Sequence, residues 1–204
     1  MLLFKGPRDQ MLTPLQSVCG IVEKRHTLPI LSNVLMEKNG ENLTLLATDI
    51  EIQIRTGTSA ASAENAALTV GARKLQDILR SLPDSAEVSL SLDDKRLQVK
   101  AGKSRFNLQT LPAEDFPRMS TADGQTVRIG VTQKQFKRLL ALVQYSMAQQ
   151  DIRYYLNGLL LVIDGAEMRV IATDGHRLAF ASEALPENMP RSEVSLPRKS
   201  IVKL

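Results

Sequence analysis

At 204 residues, with 43% hydrophobic and 24% charged side chains, the chain has the composition of an ordinary globular protein of one or two domains. Its 26 Lys+Arg against 22 Asp+Glu leave +4, too mild an excess to name a partner, so where the cations sit matters more than their sum. No apolar run approaches the ~18 residues that span a bilayer, MLLFKGPRDQ lacks the apolar core of a secretion signal, and lone Cys19 excludes an internal disulfide; a reducing, cytoplasmic setting without membrane contact is expected.

In chain order, Met11, Leu12, Leu15, Val18, Cys19 and Val22 recur at helical spacing, with Pro14 either near the start of that helix or a kink in it. Thr27-Leu28-Pro29 breaks the pattern. Two runs follow, Ile30 to Glu37 and Leu43 to Thr56, around the hairpin signal Asn39-Gly40. In the second run Ile50, Ile52 and Ile54 alternate with polar residues, which predicts a half-buried strand. Ser59 to Asn65 reads as loop, Leu68-Thr69-Val70 as a short strand, and Gly71 to Leu82 as a helix with Leu75, Ile78, Leu79 and Leu82 on one face. Val88, Leu90 and Leu92 alternate, Asp93-Asp94-Lys95 turns, and Leu97 and Val99 return. Lys103 to Leu111 adds a strand with Phe106 and Leu108 on one side. Pro112 to Gly124 has no period and is read as a linker.

A second set of elements starts near Thr126. Val127, Ile129 and Val131 predict a strand, and Thr132 with Gln135 forms a capping-box pattern ahead of the stripe Phe136, Leu139, Leu140, Val143 and Met147. Ile152 to Ile163 and Glu167 to Ala181 read as strands around a hairpin signal at Asp164-Gly165, and Pro197-Arg198-Lys199 opens a last helix.

The two sets repeat each other. LTLLATDIEI around Asp49 matches MRVIATDGHR around Asp174, and LTVGARKLQDIL around Lys74 matches VSLPRKSIVKL around Lys199; both pairs are 125 positions apart. Two anchors at one offset imply one structural unit used twice, residues 1–125 and 126–204, the second cut short because Leu204 falls at the equivalent of Leu79. The expected class is α+β, each unit two helices laid on one face of an antiparallel sheet. A unit built to meet further copies points to assembly more than to a catalytic cleft.

The predicted helices are basic on their solvent faces: Arg73, Lys74 and Arg80 against Asp77 in one, Lys134, Lys137 and Arg138 in the next, Arg198, Lys199 and Lys203 in the last. Acids concentrate in strands and turns. With no Trp and 4% aromatics, such a surface suits the phosphate backbone of a duplex rather than stacked bases; the plain alternative is that Lys and Arg are good, soluble helix formers.

Enzyme constellations are poor. Asp174, His176 and Ser182 would all lie on one strand and turn, where neighbouring side chains diverge. His26, His176 and Cys19 have no metal-ligand spacing, and no glycine-rich phosphate loop is present, so neither metal nor cofactor is expected. Asp49 and Asp174 share a repeat position, which marks a turn former, because catalysis needs only one. Arg153-Tyr154-Tyr155-Leu156-Asn157-Gly158 and Thr173-Asp174-Gly175-His176-Arg177-Leu178 differ from their first-unit counterparts by gaining Tyr, Gly, His and Arg. Divergence at matched positions indicates a task of the second copy alone, and Tyr, Leu and Arg are typical anchors for a bound peptide. The alternative is that two tyrosines on a strand simply pack a core.

TLPILSN, ATD, the Arg73-Lys74 helix, SRFNLQTLPAEDFP, SMAQQDIRYYLNG, ATDGHRLA and PRKS, taken in order over the whole chain, resemble the bacterial DNA polymerase III beta subunits, the replicative sliding clamps. The resemblance implies three similar domains per full-length chain and a head-to-tail ring of two chains, with helices lining the hole and sheet outside. Duplex DNA passes through without sequence preference. It implies that this chain supplies the first domain and more than half of the second, with the third absent and the ring unable to close. Arg25, Arg73, Gln150, Tyr154 and Arg198 would face duplex DNA. Arg153, Tyr155, Leu156, Thr173, Gly175, His176, Arg177 and Leu178 would form part of a pocket for linear peptide motifs of polymerase and clamp-loader subunits. Lys74, Ile78, Phe106 and Leu108 would lie at a ring-closing edge, left here as an unpaired edge strand. The resulting function is a non-catalytic processivity factor; the alternative is a peptide-binding adaptor whose basic helices are only a solvated face.

Overall fold

A computed structural model describes residues 1–22, 28–60, 64–119 and 128–203, which divide between two compact units, Met1–Thr121 and Ala122–Leu204. Both mix helices with antiparallel strands.

The first unit runs β1 (Leu2–Pro7), α1 (Arg8–Cys19), a 3-10 turn at Pro29–Ser32, β2 (Asn33–Asn39), β3 (Asn42–Thr48), β4 (Gln53–Ser59), β5 (Ala66–Gly71), α2 (Ala72–Ser81), β6 (Glu87–Asp93), β7 (Arg96–Ala101) and β8 (Ser104–Leu111). Its eight strands form one sheet in the order β1-β6-β7-β8-β5-β2-β3-β4. Strand alternation sends one set of side chains toward the helices, so Phe4, Leu90, Val99 and Phe106 form a cross-strand row, with Leu92, Leu97 and Leu108 in another. These rows join Met11, Leu15 and Val18 of α1 and Leu75 and Leu79 of α2 in one core. Pro14 lies inside α1, beyond its first turn. Cys19 is buried there, and burial pushes its thiol up to about 11, against the opposing pull of the Arg73 and Arg80 charges.

Three expectations need correction here. The run Leu43 to Thr56 is two strands, because the chain reverses at Asp49; Ile50 is exposed, outside the strand alternation. β8 is not a terminal strand: it sits between β7 and β5, although it pairs with β5 only through Thr110 and Leu111. The stretch after β8 is not all linker. Ala113 and Phe116 cover Leu35 and Leu46 on the sheet face away from the helices, and Arg118 pairs with Glu37 at 2.7 Å.

The second unit runs α3 (Gln133–Val143), 3-10 turns at Gln144–Ser146 and Tyr154–Leu156, β9 (Gly158–Thr173), β10 (Leu178–Pro197) and α4 (Arg198–Lys203). The capping box forms: Thr132 Oγ1 accepts from the Gln135 amide and Gln135 Oε1 accepts from the Thr132 amide, both at 3.2 Å. Leu139, Leu140, Val143 and Met147 pack on Leu159, Leu161, Met168, Val170 and Ala172. β10 pairs both ends of β9, Leu178–Ala184 against Thr173–Glu167 and Ser192–Pro197 against Ile163–Gly158. Gly165 takes a φ of 61°, close to the 57° of Gly40, its counterpart in the repeat. The expected strand at Val127–Val131 is not seen among the described residues: Ile129 and Val131 pack on the core without pairing. The strand expected from Ile152 begins only at Gly158, and Ile152 is 97% exposed. The strand expected from Glu167 to Ala181 is interrupted at residues 174–177.

Gly158 fixes how closely β10 can approach β9. A Cβ there would lie 2.3 Å from the Leu196 carbonyl oxygen, so the contact requires a residue without one. Gly158→Ala is expected to destabilise the second unit by about 1–3 kcal/mol, the range for forced overpacking, measured as a lower midpoint in chemical denaturation.

Candidate nucleic-acid and peptide interface

The ten residues before β9 carry five of the expected site residues. Gln150 (φ 58°), Arg153, Tyr154 and Tyr155 are exposed, the tyrosines by 83% and 60%, while Leu156 is buried. Tyr154 and Tyr155 stand edge to face, centroids 5.8 Å apart, in the 3-10 turn. They are neither on a strand nor in a core, which removes the packing alternative.

Two clamps shape this loop. Asp151 accepts three hydrogen bonds from Arg153: from the backbone amide at 2.8 Å, from Nε at 3.0 Å and from Nη2 at 2.9 Å. These bonds hold the Asp151 carboxyl down at about 2. Asn157 grips the main chain of Asp151 from the other side. Its Oδ1 accepts from the Asp151 amide at 2.9 Å and its Nδ2 donates to the Asp151 carbonyl at 2.8 Å. The Asn157 carbonyl accepts from the Arg198 amide at 2.9 Å, at the first residue of α4.

The strand reversals in the two units are built alike. In the first, Thr48 Oγ1 donates to the Ile52 carbonyl and accepts from the Ile50 amide, while Asp49 Oδ1 accepts from the amides of Glu51 and Ile52. In the second, Thr173 Oγ1 donates to the Arg177 carbonyl and accepts from the Gly175 amide, while Asp174 Oδ1 accepts from the amides of His176 and Arg177. Asp49 and Asp174 are turn formers, as their duplication indicates. The third position is left-handed in both, φ 79° at Ile50 and 88° at Gly175. Ile pays steric strain there; Gly does not. The space above Gly175 is taken by Arg153, whose Nη2 lies 3.1 Å from where a Cβ would stand.

A cleft of about 520 Å³ opens between the loop and this turn, lined by Tyr145, Gln150, Asp151, Asp174, His176, Arg177 and Arg198 among others. Arg177 donates to Asp174 at 2.9 Å and stacks over the Tyr145 ring at 5.6 Å. Arg198, half-buried, donates to the Gln144 carbonyl at 3.4 Å. The structure thus gathers Gln150, His176, Arg177 and Arg198 round one cleft. Tyr155 and Leu178 stand exposed outside its lining, and Thr173 serves the turn. Asp151, Asn157 and Tyr145 escaped the sequence reading. Only the Asp151/Arg153 spacing could have hinted at one of them. No group of residues suited to a metal ion occurs among the described residues, and none of their helices is long and apolar enough to cross a membrane.

In the first unit, Arg73 is exposed and donates to the Val22 carbonyl at 2.6 Å. Lys74 is exposed, Ile78 and Phe106 are partly buried, and Leu108 faces the core at 4% exposure, so Leu108 offers an edge its backbone and not its side chain. Arg25 lies outside the described residues.

Two α+β units, each with a basic helix and the second with an exposed aromatic loop, define a duplicated-domain class, and comparison with known proteins names its family. The model of the DNA polymerase III beta subunit N-terminal domain matches residues 2–120, and that of the central domain matches residues 130–204. The chain belongs to this family. It is 45% identical to the beta sliding clamp of Pseudomonas putida over 203 residues, and 43% identical to that of Escherichia coli over 202. In both cases the match covers 98% of this chain and 55% of the relative, so the chain spans about half the length of the curated relatives it matches. The solved DNA polymerase III subunit beta of Pseudomonas aeruginosa superposes with a TM-score of 0.91 at 44% identity, over 98% of this chain and 55% of that one. The Caulobacter crescentus pol III beta superposes at 0.90 and 41%, over 100% and 56%.

The matched turns yield paired mutants of opposite sign. Ile50→Gly is expected to stabilise the first unit by up to about 1 kcal/mol, relief of left-handed strain outweighing the added freedom of the unfolded glycine. Gly175→Ile is expected to destabilise the second by about 1–3 kcal/mol, since it adds that strain and displaces Arg153. Thermal melts of both variants check the signs.

Asp151 gives a pH signature. Its folded carboxyl is depressed, so the Arg153 bonds are intact above the ordinary carboxylate range and are lost only as pH falls through about 2. A carboxyl carbon NMR titration is expected to find Asp151 still ionised at the pH where exposed carboxylates are half protonated.

Proposed function

We propose that this chain is part of a DNA sliding clamp that encircles duplex DNA and tethers polymerase and clamp-loader subunits by their linear peptide motifs. The observation that carries the reading is a set of helix-surface cations with no carboxylate partner among the described residues. Lys134, Lys137 and Arg138 sit exposed at i, i+3 and i+4 of α3, and Arg73 and Arg198 bond main-chain carbonyls, which hold them without cancelling their charge. Arg25, Gln150 and Tyr154 complete the duplex-facing set. Arg153, Tyr155, Leu156, Thr173, Gly175, His176, Arg177 and Leu178 form the peptide-facing one. The Pseudomonas aeruginosa clamp has been solved bound to griselimycin, and in this reading that compound is a ligand to test against the peptide-facing set.

In this reading the domains divide at about residue 125, a third copy of the unit completes the full-length chain, and two such chains close a ring. Lys74, Ile78, Phe106 and the free side of β8 at residues 104–109 meet the third domain of the other chain. Protein and duplex are held together by topology, so individual contacts stay weak enough for sliding. The competing reading, a peptide-binding adaptor, draws on the exposed Tyr154, Tyr155, Leu178 and Phe180.

Fluorescence anisotropy with two unrelated duplexes separates the two. This chain is expected to bind both at ~10⁻⁴–10⁻⁶ M in low salt, and Arg73→Glu with Arg198→Glu should weaken binding and lower the salt slope by about 0.9 per lost contact. Griselimycin binding should survive the charge reversals. Tight, salt-resistant duplex binding would overturn the clamp reading; duplex binding that is absent, or indifferent to both reversals, would overturn it in favour of the adaptor.

A further inference from the structure

We infer that Asn157 is a positioning residue that ties the loop carrying both proposed contact sets to the start of α4, so that engagement of Arg198 is sensed at Arg153. The inference rests on the functional reading above for what Arg198 and Arg153 touch, and on geometry alone for the link between them.

Every polar group of Asn157 is engaged. The side chain closes a two-bond ring on the main chain of Asp151, at 2.9 and 2.8 Å. The amide donates to the Tyr154 carbonyl at 3.0 Å, closing the 3-10 turn. The carbonyl takes the Arg198 amide at 2.9 Å, one of the donors that a helix start leaves without a partner inside the helix. Asp151, gripped on its main chain by Asn157, spends its carboxylate on Arg153. The path from the α4 start to the Arg153 guanidinium therefore runs Arg198, Asn157, Asp151, Arg153, with hydrogen bonds between successive residues. Between its ends lie Tyr154 and Tyr155, one from each proposed contact set.

The repeat supports a role special to the second unit. Asn157 matches Ser32, whose hydroxyl is a single polar atom on a shorter stem and lacks the separated donor and acceptor with which the Asn157 amide spans the amide and carbonyl of one residue. Asn157 lies in the same stretch where the second copy gains Arg153, Tyr154 and Tyr155. A movement of Arg198 toward a phosphate pulls on the Asn157 carbonyl, and the planar amide passes the displacement to Asp151, because its two bonds leave no rotation to absorb it.

Amide hydrogen exchange and side-chain NMR test the link. Without ligand, Asn157→Ala should speed exchange of the Asp151 amide about tenfold, the loss of about one net hydrogen bond, and should also speed the Arg198 amide, leaving Val170 and Ala172 unchanged. With duplex DNA, the unmodified chain should show shifts at both the Arg198 amide and Arg153 Nε. In Asn157→Ala the Arg198 response should remain and the Arg153 response vanish, a split that mere loss of structure would not give. Asn157→Asp, which keeps the acceptor but not the donor, should fall between. An Arg198 amide indifferent to Asn157→Ala, or an Arg153 response to duplex that survives it, overturns the inference. If duplex leaves the Arg198 amide of the unmodified chain undisturbed, it is the duplex reading that fails, and the ligand-free exchange rates alone decide the link.

Discussion

A chain that reverses between antiparallel strands must find partners for the backbone groups at the bend, and both units meet this demand with the same two side chains. A threonine hydroxyl and an aspartate carboxylate take over the polar groups of the three residues that follow. The pairs Thr48 with Gln53 and Thr173 with Leu178 open the ladders beyond, so the turn sets the register that decides which side chains face the core. The third position must be left-handed in either copy. In the first unit Ile50 bears that conformation in the open, exposed by 53%. In the second, glycine relieves it and vacates the volume that Arg153 then occupies. One substitution within a duplicated turn turns a structural bend into a seat for a guanidinium.

That seat matters more for direction than for stability. Arg153 and Asp151 are both accessible to solvent, and exposed pairs contribute little to folding. Three hydrogen bonds to one carboxylate nonetheless restrict a long, flexible side chain to a narrow set of rotamers, and the same holds for Arg177 between Asp174 and Tyr145. Side chains immobilised before a partner arrives lose less entropy on binding. A peptide surface built from such residues gains affinity from preorganisation without needing a deep apolar pocket.

The helices, the core faces and the repeat were legible in the sequence, because apolar spacing in α2 and α3 is regular and Thr132 with Gln135 announces its own cap. What misled were places where tertiary bonds override a local pattern. Ile50, Ile52 and Ile54 keep strand alternation on paper, yet Asp49 captures the two amides that would have extended the strand. Ile152 begins an apolar run, but Asn157 and Asp151 bind each other's polar groups across it and hold the chain out of the sheet. Phe106 and Leu108 alternate correctly, and only the long-range pairing shows that β8 meets β5 through Thr110 and Leu111 while residues 104–109 pair with β7 alone. The cleft was half legible: His176 and Arg177 stand out as departures from the repeat, whereas Tyr145 becomes part of it only by lying under Arg177.

The partners of the arginines bear on the two roles proposed for the chain. Arg8, Arg118, Arg153, Arg169, Arg177 and Arg191 all meet carboxylates. Their charge is largely cancelled nearby, so a phosphate would have to compete with an acid already in place. Arg73 and Arg198 instead lean on the Val22 and Gln144 carbonyls, which fix position without placing a carboxylate on the guanidinium. Counterion release needs uncancelled charge, while peptide recognition needs fixed donors and flat surfaces, and the proposed division of Arg73 and Arg198 from Arg153 and Arg177 follows that difference. The division follows from neighbours rather than residue type, which is why a count of Lys and Arg could locate a basic helix but could not say which of its cations remains free to meet a phosphate.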